Sequence, residues 1–164
     1  MATLARSFGV AVPSLYKHVS SLAWIQNEIA KQGLQDLGNV LKDAATGRAQ
    51  RDALSHMAKA YRHFAKAYPG RYAAIHDAHI PQDHELQQLS DRTLRPIYDM
   101  LATYGRTGEE ATYDVRLLRA ALHGFVTLET TGAFGIPLDI EQSFDYLIDA
   151  MDASFRSYRF SGRY

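Results

Sequence analysis

Apolar residues recur at steps of three or four positions along most of this chain, and no segment alternates apolar and polar residues as a half-buried strand does. Residues three or four apart share one face of a helix, so this spacing predicts a series of amphipathic helices. Prolines and glycines between the segments mark the helix ends. We therefore predict an all-α protein.

Six helical segments follow from this pattern. The second should stop at Pro69 and Gly70, and the fourth at Gly105 and Gly108. The predicted segments run from Leu22 to about Leu41, Leu54 to Tyr68, Arg71 to Ala78, Leu86 to Leu101, Glu109 to about Thr131 and Ile140 to Phe155.

The composition argues against a disulfide-bonded protein, a secreted protein and a membrane-spanning protein. The 164 residues fit one or two small domains, with 18 basic and 18 acidic side chains and no net charge. The absence of cysteine excludes disulfides, thiolate metal sites and cysteine nucleophiles. No signal-peptide pattern opens the sequence, and no apolar run is long enough to span a bilayer. We expect a cytoplasmic protein with no membrane partner.

The first residues read as part of a helix-turn-helix. Leu4 and Phe8 share a face of a short helix, and a second helix follows from Val12 to His18, where Pro13 is tolerated in the first turn. The outward residues of the second helix can reach a DNA groove or phosphate oxygens. The alternative is two short packed helices that contact nothing else. Residues 1–27 carry Arg6 and Lys17 but no acid, which permits DNA binding without requiring it.

The run MATLARSFGVAVPSLYKHV resembles the DNA-binding segment of TetR-type transcriptional regulators, whose recognition helix commonly ends in Leu-Tyr-x-His and an apolar residue. Leu15–Val19 matches that ending in full. The resemblance implies that one group of residues faces bases and a second holds the DNA backbone. Thr3 is also predicted to contact DNA. The first group is Ala11, Val12, Pro13 and Ser14, and the second is Tyr16, Lys17 and His18.

Two departures from the family accompany this match. Ala11 stands where a capping Ser or Thr is common, and such a cap typically contributes ~1 kcal/mol. The family also has a long helix before the motif, whereas this sequence starts inside or just before the motif's first helix. We therefore expect that a longer protein exists.

The later runs YRHFAKAYPGRYAAI and LLRAALHGFVTLETTGAFG resemble the C-terminal domain of the TetR branch named for a Trp-His-Gly motif. Leu122 replaces the Trp, while His123 and Gly124 agree. The resemblance implies a partial helix-turn-helix domain at 1–31 and a helical ligand-binding and dimerisation domain at 32–164. It also implies that the last two helices pair with those of a second subunit, and that the same domain holds a small-molecule pocket.

Gly124 gives the dimer a physical basis. A glycine inside a helix costs roughly 1 kcal/mol relative to Ala, and close packing by another backbone would compensate for that cost. The alternative is that Gly124 packs against another helix of its own chain. The predicted dimer interface consists of Ala121, Gly124, Leu128, Thr131, Phe144, Leu147 and Met151.

Ten tyrosines and seven phenylalanines exceed what a small core needs and indicate an aromatic pocket. Such walls suit a flat effector that is mostly apolar or aromatic, with a few polar contacts. The alternative is an aromatic core with satisfied hydroxyls. The predicted ligand-binding residues are Tyr61, Phe64, Tyr72, Tyr98 and Phe125, with His76, His123 and Glu129 as polar contacts.

The sequence was also searched for residues that could form a metal site or an enzyme active site. His76, His79 and His84 cluster near two aspartates, but no fixed third ligand can be named, so no metal or cofactor is predicted. The sequence has no nucleophile elbow, glycine-rich phosphate loop or HExxH pair, and we predict no enzyme. A small helical enzyme that uses His123 and Glu129 is the third hypothesis.

The leading hypothesis is a homodimeric, ligand-responsive DNA-binding regulator that acts as a repressor. The second is a helical small-molecule-binding dimer that no longer binds DNA.

Overall fold

A computed structural model describes residues 21–78 and 83–157, together with Arg6 and Gly9. Within these residues the chain forms six α-helices and no strand, which confirms the all-α prediction. All eight residues predicted to contact DNA lie outside the described residues. The helices are α1 (Leu22–Ala45), α2 (Gln50–Ala67), α3 (Pro69–Asp77), α4 (His84–Ala102), α5 (Gly108–Thr130) and α6 (Ile140–Ser157).

The helix ends follow the capping chemistry of the sequence. Ser21 accepts a hydrogen bond from the backbone N–H of Trp24 at the start of α1. The carboxylate of Asp83 accepts from the N–H groups of Glu85 and Leu86 at the start of α4. Pro69 occupies the first turn of α3, where no intrahelical N–H is needed.

Helix α2 begins at Gln50, four residues before the predicted start, and its cap comes from another helix. Ala49 provides no side-chain hydrogen bond. Instead the N–H of Gln50 donates to Oγ1 of Thr103, just past the end of α4, at 2.8 Å. Because this partner is 53 positions away in the sequence, local capping rules could not place the start.

Helices α1 and α4 run parallel and in close contact. Lys31 pairs with Glu85 near the two starts, and Thr93 donates its hydroxyl to the carbonyl of Leu34 midway. Gly38 permits this approach, since a Cβ there would lie 3.2 Å from Oγ1 of Thr93. Helix α1 also continues without a break through residue 31, the predicted domain boundary.

Helix α2 lies at the centre of the described chain and contacts each of the other five helices. Its buried side chains include Leu54, Met57 and Phe64, which form part of one continuous hydrophobic core. Helices α1, α3 and α4 pack together on one part of this core, and α5 and α6 pack on α2 elsewhere. None of the described helices is long and apolar enough to cross a bilayer.

Candidate functional site

Four of the eight predicted ligand-binding residues meet where α2, α3 and α5 pack together. The hydroxyls of Tyr61 and Tyr72 lie 2.9 Å apart, and the hydroxyl of Tyr72 lies 2.6 Å from Nδ1 of His123. The ring of His76 packs on that of His123 with centroids 4.1 Å apart. We call Tyr61, Tyr72, His76 and His123 the tyrosine–histidine cluster.

The surroundings of Tyr61, Tyr72 and His76 favour the uncharged forms of these three side chains. Burial raises the pKa of both Tyr61 and Tyr72 above the ordinary value for tyrosine. Desolvation, followed by electrostatic repulsion from His123 and Arg119, lowers the pKa of His76 to about 4, although part of its side chain remains exposed. The cluster is therefore polar, and its tyrosine hydroxyls are satisfied within it, as in the aromatic-core alternative.

Three other predicted ligand-binding residues lie apart from the tyrosine–histidine cluster. The ring of Phe64 packs on Tyr68, and Phe125 packs between Phe134 and Phe144. The hydroxyl of Tyr98 lies 3.5 Å from that of Thr112, at the limit of a hydrogen bond. The structure thus separates the predicted pocket into several packed groups, and the ligand assignment stays a prediction.

Glu129 is held by cations of α2. Arg62 donates from Nε and Nη2 to the two carboxylate oxygens of Glu129, at 2.7 and 2.8 Å, and Lys66 contacts the same carboxylate. Glu141 accepts two further hydrogen bonds from the guanidinium of Arg62. The hydrogen bonds from Arg62 lower the pKa of Glu129 to about 2, so its carboxylate is charged at neutral pH.

Sequence reasoning did not identify Arg62 as the partner of Glu129. A usable signal was present, because Arg62 and Lys66 are four residues apart and share a face of α2. Only the packing of α2 against α5 shows that this face meets the carboxylate.

The outer face of α5 carries exposed apolar and small residues. Leu117 and Leu128 keep 46% and 44% of their surface exposed, with Ala121 and Gly124 between them. A Cβ built on Gly124 would have no described atom within 4 Å. The alternative that Gly124 packs against another helix of its own chain therefore finds no contact among the described residues. We call Leu117, Ala121, Gly124, Leu128 and Thr131 the α5 outer face.

The predicted interface residues on α6 have different surroundings. Phe144 and Met151 are buried in the chain's own core, with 1% and 4% exposure. Leu147 is half-buried against the core, and its neighbour Tyr146 is 77% exposed. The outward surface of α6 is therefore formed by side chains such as Tyr146, and not by Phe144 and Met151 of the predicted interface.

A cavity of about 570 Å³ lies between α1 and α4. None of the eight predicted ligand-binding residues lines it. It depends on the parallel pairing of two helices that are far apart in the sequence, so helical periodicity alone gave no signal for it. Among the described residues no group of three His, Asp or Glu side chains is placed to hold a metal ion, and His79 lies outside those residues.

The sequence that forms α2 to α6 matches a known family. The model of the "Tetracyclin repressor-like, C-terminal domain" family matches residues 54–151, from the first turns of α2 into α6. The chain belongs to the TetR family. The resemblance found in the sequence is thereby confirmed.

Two curated relatives of this TetR-family chain are named as HTH-type transcriptional regulators, both uncharacterized. Rv0681 of Mycobacterium tuberculosis is 38% identical over 132 residues, which are 79% of this chain and 60% of that protein. YobS of Bacillus subtilis is 34% identical over 150 residues, which are 90% of this chain and 77% of that protein. The chain thus spans less than two thirds of the length of the first of these relatives.

Solved structures show the same TetR-type fold. The crystal structure of the regulatory protein SCO4313 superposes with a TM-score of 0.75 at 21% identity, covering 92% of this chain and 83% of that one. A protein of unknown function from Rhodococcus sp. RHA1 gives a TM-score of 0.69 at 22% identity, with coverage of 94% and 81%. At these identities the likeness concerns the fold alone.

Proposed function

We propose that this TetR-family protein is a homodimeric transcriptional repressor whose affinity for DNA changes when a small molecule binds. The observation that carries the proposal is the α5 outer face, in which half-buried Ala121 and Gly124 lie between exposed Leu117 and Leu128 on a helix that belongs to the matched domain. The curated relatives named as HTH-type transcriptional regulators support the DNA-binding part.

The α5 outer face has the properties of a helix-packing surface. Leu117 and Leu128 supply apolar area at its two ends, and Gly124 leaves room for a second backbone between them. Two such faces related by a two-fold axis would be self-complementary, because the same patch serves both subunits. Burial of the exposed apolar area then contributes about 25 cal/mol per Å² to association.

Helix α1 is the element that would connect DNA binding to ligand binding. Its 24 residues span roughly 36 Å at 1.5 Å per residue, and its start directly follows the segment that resembles a recognition helix. Its contacts with α4 at Lys31 and Leu34 fix its position on the body. A ligand that moves α1 relative to α4 would change the separation of two DNA-reading segments, which must match half-sites ~34–36 Å apart. Induction further requires that ligand and DNA each weaken the binding of the other.

The dimer is tested by Leu128→Asp, which replaces an exposed apolar side chain of the proposed interface by a charge. We expect the wild-type chain to sediment as a dimer and the variant as a monomer with the same helical content. Ile29→Asp is the matched control, since Ile29 is 40% exposed but lies on α1, away from α5 and α6. A variant that stays dimeric, or a control that dissociates equally, would contradict this interface.

DNA binding is tested by selecting bound duplexes from a random-sequence pool. We expect enrichment of an inverted repeat, and we expect Leu128→Asp to lose affinity for it because a monomer contacts only one half-site. Lys17→Gln should weaken binding to all sequences and reduce the salt dependence, as the loss of a phosphate contact does. If a dimer with normal helical content enriches no sequence, the alternative of a small-molecule-binding dimer without DNA binding replaces the repressor.

A further inference from the structure

The cavity between α1 and α4 has an apolar floor and is open at its outer side. Its position follows from the close contact of Gly38 with Thr93, which leaves a groove beside the contact. At about 570 Å³ it falls in the range of ~300–1,000 Å³ that small-molecule sites occupy. The apolar residues that line it are Leu34, Ala45, Leu89, Pro96 and Met100.

The charged residues of this groove are unbalanced. Four basic side chains line it, and Asp99 is the acid among the lining residues, although the whole chain carries no net charge. The basic residues are Lys42, Arg48, Arg92 and Arg95. The groove therefore has an excess of positive charge beside an apolar floor.

Two of the four cations already have partners. Arg95 pairs with Asp99 at 3.1 Å. Arg48 donates to the carbonyls of Ala44 and Thr46 at the end of α1, and its side chain lies 3.6 Å from a carboxylate oxygen of Asp52. The positive charge of these two side chains is thus largely committed to the protein itself.

The other two cations are available to a ligand. Within residues 21–78 and 83–157, no carboxylate lies within ion-pair distance of Lys42 or Arg92. Lys42 is in the last turn of α1, and Arg92 is on the facing helix α4 beside Thr93. An acidic group bound in the groove can therefore gain charge-assisted hydrogen bonds without breaking an existing ion pair.

We infer that the α1–α4 groove binds an amphipathic organic anion. Its apolar part lies against Leu34, Pro96 and Met100, and its acidic group is held by Lys42 and Arg92. This site differs in place and in ligand chemistry from the tyrosine–histidine cluster. The inference names the class of ligand that the proposed repressor binds. That this ligand changes DNA binding rests on the proposed function, whereas its binding to the groove can be measured on this chain alone.

The test uses decanoate as the probe, below its micellar concentration, with decanol as the uncharged molecule of equal chain length. Calorimetric titration of the full chain should give one site per chain with decanoate and an affinity at least about ten-fold lower with decanol. The double variant Lys42→Gln, Arg92→Gln should lose about ten- to a hundred-fold for decanoate and little for decanol, since it removes both charge-assisted contacts to the carboxylate.

Two further variants keep this test specific. Arg116→Gln removes an exposed arginine of α5 that does not line the groove and should change decanoate affinity less than about two-fold. Asn39→Trp fills the groove from an exposed position of α1 and should abolish binding while circular dichroism stays unchanged.

Equal affinities for decanoate and decanol, a loss of the same size in Arg116→Gln, or undiminished binding by Asn39→Trp would each overturn the site. If the protein still enriches an inverted repeat from the DNA pool but does not bind decanoate, only the ligand site is wrong. If the protein binds decanoate but no DNA, the repressor function is wrong and the ligand site is retained.

Discussion

Arg62 on α2 and Glu129 on α5 form a two-point ion pair in which both side chains are about nine-tenths buried. The remaining N–H groups of the same guanidinium reach Glu141 at the start of α6. One arginine therefore links α2 to α5, whose outer face carries the proposed dimer contact, and to α6. Its positive charge is also covered by the ring of Phe144, 4.7 Å away.

Breaking this pair should destabilise the fold strongly. We expect Glu129→Ala to lower the free energy of unfolding by roughly 2–4 kcal/mol, because Arg62 would remain buried while its buried partner is removed and only the exposed Glu141 is left. Urea denaturation followed by circular dichroism measures the change. Asp145→Ala, which breaks the exposed Lys59–Asp145 pair, should have little effect and serves as the control. Equal effects of the two substitutions would mean that the burial of the Arg62 pair carries no special stability.

The same carboxylate makes stability depend on acid pH. The pKa of Glu129 is about 2 in the folded chain, below its ordinary value of 4.5, so its contribution is complete above pH 4.5 and is lost as the pH falls toward 2. The difference in unfolding free energy between the wild type and Glu129→Gln should therefore be constant near neutrality and should shrink below pH 4.5. A difference that stays constant down to pH 2 would contradict the depressed pKa.

Gly33 is required by the packing of α1 against α3. A Cβ at this position would lie 3.0 Å from Cγ1 of Ile75 and 3.1 Å from the carbonyl oxygen of Arg71. Gly33→Ala should therefore lower the free energy of unfolding by about 1–3 kcal/mol despite the better helix propensity of Ala. Gly124→Ala is the matched control, since its Cβ meets open space and should stabilise the isolated chain by up to about 1 kcal/mol. Thermal unfolding of both variants, measured in the monomeric Leu128→Asp background, shows whether each substitution destabilises or stabilises the chain.

His76 should be protonated only at unusually low pH. We expect an NMR titration of the ring protons of His76 to give a midpoint near 4, because desolvation and repulsion from His123 and Arg119 oppose its protonation. Since the unfolded chain takes up this proton near pH 6.5, the stability that His76 contributes falls as the pH drops from 6.5 to 4. His123→Gln should move the midpoint upward. A wild-type midpoint near 6.5 would show that the packing of the two rings has no electrostatic consequence.

The sequence sufficed for the helices because their determinants are local. Apolar spacing, the Ser21 and Asp83 caps and the Pro69–Gly70 break all act within a few residues. The start of α2 was misplaced because its cap, Thr103, comes from a distant helix. A cap of that kind leaves no trace in a local window.

The candidate sites were less predictable because they depend on which helices meet. Helical spacing placed Tyr61 and Tyr72 inward, His123 was predicted only as a polar contact, and the structure joins the three by hydrogen bonds. Helical spacing did not indicate that Tyr98 would lie apart from this cluster. It also did not indicate that Phe144 would be buried in the chain's own core and not on the outer surface of α6. The α1–α4 groove is formed by the pairing of α1 with α4, and no single segment encodes it.

The bond from Gln50 to Thr103 also makes the beginning of α2 depend on the position of α4. The hydroxyl of Thr103 accepts from Gln50 and donates to the carbonyl of Met100, so the first turn of the central helix keeps this cap only while the last turn of α4 lies beside it. Protection of the Gln50 amide against hydrogen exchange therefore reports on that contact, and a molecule that wedges α1 and α4 apart would loosen the beginning of α2 as well.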